Sequence, residues 1–235
     1  MEHNLRLLQE EIRKAGFGDP VREELEKKAR LVKEQAFYIP FAAKVDGRPV
    51  KGELYLERES LQRDLVWRHF TLDLGKDSTA YFKENKFLVS YGYATSLREA
   101  YNLMHGRYIY REPEFDRDRR SYWASLDFGR QIAGYTRLDF FASDFKMNQA
   151  ILDSSLNKYL IPPQKIALAA ALEQGDRKGL ELSVMGVSKK VWAEASPVFK
   201  KIRLSDARDK TIELPDLGRD RHREEKLTRS KGRHR

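Results

Sequence analysis

Five arginines and five aromatic residues interleave between positions 107 and 123: Arg107, Arg111, Arg117, Arg119 and Arg120 with Tyr108, Tyr110, Phe115, Tyr122 and Trp123. Guanidinium groups fit phosphates, and aromatic faces stack on unpaired bases, so the segment has the residue types of a nucleic-acid contact. On a strand, Tyr108 and Tyr110 share one face while Arg107 and Arg111 share the other, which weakens a single mixed platform. A purely structural reading stands beside it. In that reading Tyr122 is core, Trp123 packs at a sheet edge, and the arginines pair with Glu112, Glu114, Asp116 and Asp118.

A second concentration of charge lies at the C-terminus. Arg219, Arg221, Arg223, Lys226, Arg229, Lys231, Arg233 and Arg235 face only Asp220, Glu224 and Glu225, a net of +5 in 17 residues. The rest of the chain holds 37 Lys/Arg against 33 Asp/Glu, or +4, of a total of +9. Leu227 is the one apolar side chain in that segment, so it cannot bury enough surface to offset its ordering entropy and is expected to be disordered. Such a segment attracts polyanions in a salt-dependent way, or serves solubility alone.

Other chemistry is thinly represented. None of His3, His69, His105, His222 and His234 pairs with another at metal-ligand spacing within the body. The absence of Cys excludes disulfides, thiolate metal sites and Cys nucleophiles. Gly75-Lys76-Asp77-Ser78-Thr79 resembles a phosphate-loop fragment, but Phe70 stands where the first glycine is needed. Asp116 and Asp118 have the spacing of metal-binding carboxylates, yet Arg117, Arg119 and Arg120 surround them. No cofactor, metal site or catalytic group is expected, although an enzyme of unrecognised type stays open because catalytic groups assemble from distant positions. No apolar run reaches membrane-spanning length and the N-terminus lacks a signal-like apolar stretch, so a soluble, cytoplasmic protein is expected.

The elements that would position these residues are legible from periodicity. Leu5, Leu8, Ile12 and Ala15 follow helical spacing up to Gly16; Asp19 and Pro20 open a second helix carrying Val21, Leu25, Ala29 and Val32. The period then changes to two. Phe37, Ile39, Phe41, Ala43 and Val45 alternate, Asp46-Gly47 supplies a hairpin turn, and Val50, Leu54 and Leu56 resume. A third strand is expected over 65–74 with Val66, Phe70, Leu72 and Leu74 on one face and Trp67 and His69 on the other; 79–82 and 87–91 are weaker strand candidates. Ser96 and Glu99 form a capping box for a helix ending at Gly106. Strands are expected at 107–112, from Tyr122 to Phe128 and at 135–141, with a charged loop over 113–120. Lys146 to Leu160 contains a helix that Pro162-Pro163 breaks, and 164–174 is helical up to Gly175. Strands around 180–184 and 191–195 pair across a turn near Gly186, and Val198, Ile202 and Leu204 suggest a last strand.

The expected class is therefore α+β: an N-terminal helical hairpin, then mostly antiparallel sheet with short helices on one side, then a disordered basic tail. The body would span 1–205, as one domain or with a split near 145, and the tail 206–235.

Four segments together resemble a family of uncharacterised bacterial proteins associated with conjugative and other mobile elements. They are Ala15-Gly16-Phe17-Gly18, Glu99-Ala100-Tyr101-Asn102-Leu103-Met104-His105-Gly106-Arg107, Trp123-Ala124-Ser125-Leu126-Asp127-Phe128 and Glu194-Ala195-Ser196-Pro197-Val198-Phe199-Lys200. Ser196 stands where the family usually has Asn. The resemblance covers roughly residues 10–205 and implies no catalytic or ligand residues. Together these readings point to a non-enzymatic accessory protein with an unidentified protein partner, weak non-specific nucleic-acid binding by the tail, and no membrane association. The alternative is a nucleic-acid-binding module that uses 107–123.

Overall fold

The computed structural model describes residues 2–31, 34–59, 64–75, 80, 84–89, 95–112, 121–132, 135–142 and 144–214. It is an α+β fold in which every paired strand is antiparallel. The chain divides into two compact units, Met1–Ala142 and Ser143–Arg235.

The first unit opens with helices α1 (Glu2–Lys14) and α2 (Asp19–Leu31), whose apolar stripes are buried as their 3.6-residue spacing requires. A four-stranded sheet follows in the order β1 (Ala36–Val45), β2 (Arg48–Arg58), β3 (Leu65–Asp73) and β4 (Glu84–Leu88). Val45 pairs with Arg48 across Asp46 and Gly47, whose φ angles of 51° and 78° are those of a two-residue turn matched to strand twist. The inner face of this sheet, including Phe37, Ile39, Leu54, Phe70 and Phe87, joins the helices in one core. Pro40 lies within the edge strand β1, and Lys28 Nζ donates to the Tyr38 carbonyl at 2.6 Å. Both features blunt the edge against further pairing. Helix α3 (Leu97–Met104) then leads into a three-stranded sheet, β5 (Ile109–Arg111), β6 (Tyr122–Ile132) and β7 (Tyr135–Ala142), with β6 central.

The second unit packs α4 (Met147–Asp153), a 3-10 turn (Ser155–Lys158) and α5 (Pro162–Glu173) with β8 (Lys178–Val184), β9 (Val187–Ser196) and β10 (Lys201–Ser205). The strand order is β10-β9-β8. Beyond β10 the chain turns back: Ser205 bridges Thr211, and the Ile212 N–H donates to the Leu204 carbonyl at 3.0 Å. Hydrogen-bonded backbone therefore continues past residue 205, where the body was expected to stop.

Several expectations change. Trp67 and His69 do not share a face. Tyr55 pairs with His69 and Leu56 with Trp67, which leaves Arg68 as an extra residue on β3. This bulge resets the alternation, so Trp67 is buried with Leu65, Phe70 and Leu72, while Val66 is only half-buried. Pro162 and Pro163 open α5 instead of merely ending what precedes it, because the first helical turn needs no N–H partners. Val198 belongs to a 3-10 turn (Pro197–Phe199) and is exposed, not part of the last strand. The strand near 87–91 occupies Glu84–Leu88, and residues 76–79 and 81–83 lie outside the described residues, as does the loop expected over 113–120.

Gly52 marks the closest backbone approach in the first sheet. A Cβ there would stand 1.9 Å from the Thr71 carbonyl oxygen and 2.9 Å from Phe41 Cε1. Gly52→Ala is expected to destabilise the chain by about 3 kcal/mol or more, because backbone must shift to admit the methyl. A chemical-denaturation midpoint equal to that of the wild type would contradict this packing.

Candidate functional site

The folded part of the arginine–aromatic segment is built at the corner where α3 meets β5 and β6. Ser96 caps α3: its Oγ accepts from the Glu99 N–H at 3.2 Å, and Glu99 Oε2 accepts from the Ser96 N–H at 2.8 Å. The same Oε2 accepts from Ser96 Oγ at 2.8 Å and from Arg111 Nη2 at 2.9 Å. Arg107 Nη1 donates to Asn102 Oδ1 at 2.6 Å, and Asn102 is completely buried. The cations therefore satisfy the end groups and side chains of a helix. Among the described residues Arg111 pairs with Glu99, while Glu114, Asp116 and Asp118 lie outside them.

The aromatic members are similarly engaged. Trp123 is buried on the central strand β6, not at a sheet edge, and the Tyr110 ring lies 5.3 Å from it. Tyr108 is half-buried, and burial pushes its hydroxyl pKa up, which keeps the phenol neutral. The structure thus brings together Arg107, Arg111, Tyr110 and Trp123 with α3 as a packed corner. Arg117, Arg119 and Arg120 lie outside the described residues. So do the tail cations Arg219, Arg221, Arg223, Lys226, Arg229, Lys231, Arg233 and Arg235.

The histidines of the body have structural surroundings. His105 Nδ1 lies 2.8 Å from the Tyr101 carbonyl, with its ring 4.3 Å from that of Tyr101. His69 stacks on Tyr55 at 4.7 Å, and Tyr55 contacts Tyr38 at 5.0 Å. These three rings form a cross-strand row on the solvent face of β1, β2 and β3. The bulge at Arg68 hid this row from a reading by parity. Because Tyr55 and His69 stack on each other, one face of each ring is occupied, which favours a sheet-bracing role over a platform for bases. No group of three or more potential metal ligands occurs among the described residues. Asp73, ahead of the Gly75 turn, accepts from the Gly75 N–H at 2.6 Å, which holds its carboxyl below the usual range, with help from Lys51 at 3.2 Å.

A second cluster that sequence reasoning missed lies in the second unit. Arg177 and Arg203 converge on Glu194 and Asp209. Arg177 Nη2 also donates to Ser205 Oγ at 3.1 Å and to the Asp206 carbonyl at 3.4 Å. The Arg177 guanidinium lies 5.2 Å from the centre of the half-buried Trp192 ring, and Lys190 Nζ lies 5.3 Å from it. Gly179, opposite Trp192, leaves room for that indole, since a Cβ would come within 3.1 Å of it. Only the alternation of charged residues around Trp192 hinted at this in the sequence, and the pairing of four residues from separate elements could not be read from spacing.

The chain matches no known family model, no curated protein and no solved structure. Its functional reading therefore rests on these residues.

Two outcomes test the geometry. Ser96→Ala is expected to cost about 1 kcal/mol of stability. Glu99→Ala should cost more, about 2–3 kcal/mol, because it also removes an acceptor from the Arg111 guanidinium and from the Ser96 N–H. Equal effects in urea melts would break the shared role of Glu99.

His69 supplies a pH test. Burial, and secondarily Lys86, lowers its pKa in the fold. The unfolded chain then takes up a proton first, so the contribution of neutral His69 is intact above about pH 6.5 and lost as pH falls below it. Between about pH 7.5 and 5.5 the melting temperature of the wild type should drop more than that of His69→Gln, since changes at the carboxylates are common to both. Parallel curves would contradict the assignment.

Proposed function

We propose that the chain is a non-enzymatic accessory protein of a bacterial mobile element. Its folded body makes a protein contact, and residues 219–235 bind nucleic acid weakly and without sequence preference. The engagement of Arg107 by Asn102 and of Arg111 by Glu99 carries this reading, because it commits two of the segment's five arginines to α3, one of them to a carboxylate. The strongest concentration of cationic side chains is then the +5 segment at 219–235. The mobile-element setting rests on the four resembling segments alone.

The alternative module at 107–123 makes opposite demands on mutants. At about 50 mM salt the full chain should bind single- and double-stranded DNA or RNA, and ending the chain at Gly218 should lower affinity more than about tenfold. The same truncation should reduce the slope of log affinity against log salt by about 4 and leave the melting temperature unchanged. Arg117→Ala, Arg119→Ala and Arg120→Ala combined should bind as the wild type does. If the truncated chain keeps its affinity and the triple variant loses it, the site lies in 107–123. If the full chain binds no nucleic acid, only the protein contact remains.

A further inference from the structure

Residues 177–212 contain nine Lys/Arg and four Asp/Glu, a net of +5, flanked by Asp176 and Glu213. The internal pairing makes the imbalance sharper. Glu194 lies 3.7 Å from Arg177 and 3.4 Å from Arg203, and Asp209 binds the same two arginines. Asp206 Oδ1 accepts from the N–H groups of Arg208 and Lys210 at 2.8 and 2.9 Å, closing the turn after β10. Glu181 is the one acid of the four without such a role; it stands directly opposite Lys190. On the cationic side, Lys200 pairs with Asp144 at 2.7 Å. Lys178, Lys189, Lys190, Lys201, Arg208 and Lys210 are all exposed and make no ion pair among the described residues. Lys190 and Lys201 lie on the Trp192 face, Lys178 and Lys189 on the opposite face, and Arg208 and Lys210 on the turn after β10.

We propose that the exposed lysines of this sheet and the cations of the turn after β10 form a phosphate-backbone contact surface for nucleic acid. The inference deepens the nucleic-acid part of the function proposed above and rests on it. Lys190 and Trp192 stand on one face of β9, and Lys201 shares that face on β10 by register. The half-buried Trp192 ring packs against Gly179 and carries Arg177 and Lys190 over it, so it fixes the position of Lys190 and reports on that lysine's surroundings. An anionic membrane would use the same charge. However, the exposed apolar side chains are split between the two ends of β9, Met185 and Val187 at one and Val198 and Phe199 at the other, and the cations spread along three strands and a turn, not behind one apolar face. The observations favour nucleic acid.

The test uses the full chain, a labelled oligonucleotide of about 20 nucleotides in single- and double-stranded form, and vesicles of phosphatidylserine and phosphatidylcholine. Combining Lys189→Gln, Lys190→Gln, Lys201→Gln and Lys210→Gln should weaken binding about tenfold or more at about 50 mM salt and reduce the salt slope by about 3. Glu181→Gln should tighten binding about two- to fivefold, as expected when a repelled phosphate is relieved of a nearby carboxylate. Binding should change the tryptophan emission of the wild type but not that of Trp192→Phe. Unchanged melting temperatures confirm that these exposed substitutions leave the fold intact. If the four-Gln variant keeps wild-type affinity and slope while neutralising the eight tail cations abolishes binding, the sheet proposal fails and the tail reading stands. If the wild type binds neither oligonucleotide, both fail. If vesicles capture the wild type through these lysines and DNA does not, the surface is membrane-directed and the proposal is overturned.

Discussion

The first unit depends on one side chain at a turn. Phe17 follows Gly16 between the two N-terminal helices and is almost fully buried. Its ring meets Phe41 at 4.8 Å, Phe70 at 5.2 Å and Trp67 at 5.6 Å, each edge-to-face. That geometry places ring edges against ring faces, the favourable arrangement of aromatic quadrupoles. The same turn accepts the start of α3, since the Leu97 N–H donates to the Ala15 carbonyl at 2.8 Å. Helical hairpin, first sheet and α3 therefore converge on residues 15–17. Each contributes little alone: a short helical hairpin is marginal in water, and a sheet needs its apolar face covered. Phe17 joins both problems into one solution.

The bulge at Arg68 follows from that cluster. Without an extra residue on β3, strict alternation would leave only one of Trp67 and Phe70 on the Phe17 side. With it, both rings face inward, and Trp67 Nε1 finds an acceptor in the His69 carbonyl at 3.0 Å. His69 is thereby turned outward, onto Tyr55. One inserted residue thus sets the composition of both faces.

These particulars show what a sequence can disclose. The Asp46-Gly47 turn and the Ser96–Glu99 box were legible because their signals are local: a turn type and a reciprocal cap each lie within four residues. The side of the sheet chosen by Trp67 was not, because a bulge changes parity without any composition cue of its own. The roles of Arg107 and Arg111 were half legible. Their type suggested phosphate, but Asn102 and Glu99, which engage them, are separated from them by a helix end and a strand. The Arg177–Glu194–Arg203–Asp209 cluster was wholly illegible, since its members come from β9, β10, the turn after β10 and the residue before β8, which spacing does not bring together.

Charge placement then links fold to function. Both units contain arginines, but they use them differently from lysines. Arg107, Arg111, Arg177 and Arg203 fix helix ends, strands and turns through planar, multi-donor contacts. Lys178, Lys189, Lys190, Lys201 and Lys210 stay exposed at the surface of the second unit. A guanidinium already held by two carboxylates is a poor site for a further anion, whereas an exposed ammonium on a flexible stem can follow a phosphate backbone of any sequence. The division of labour therefore argues against base-specific readout by the folded arginines. It argues for contact that is electrostatic, tolerant of sequence and sensitive to salt, with the structured arginines serving to keep the lysine-bearing sheet in shape.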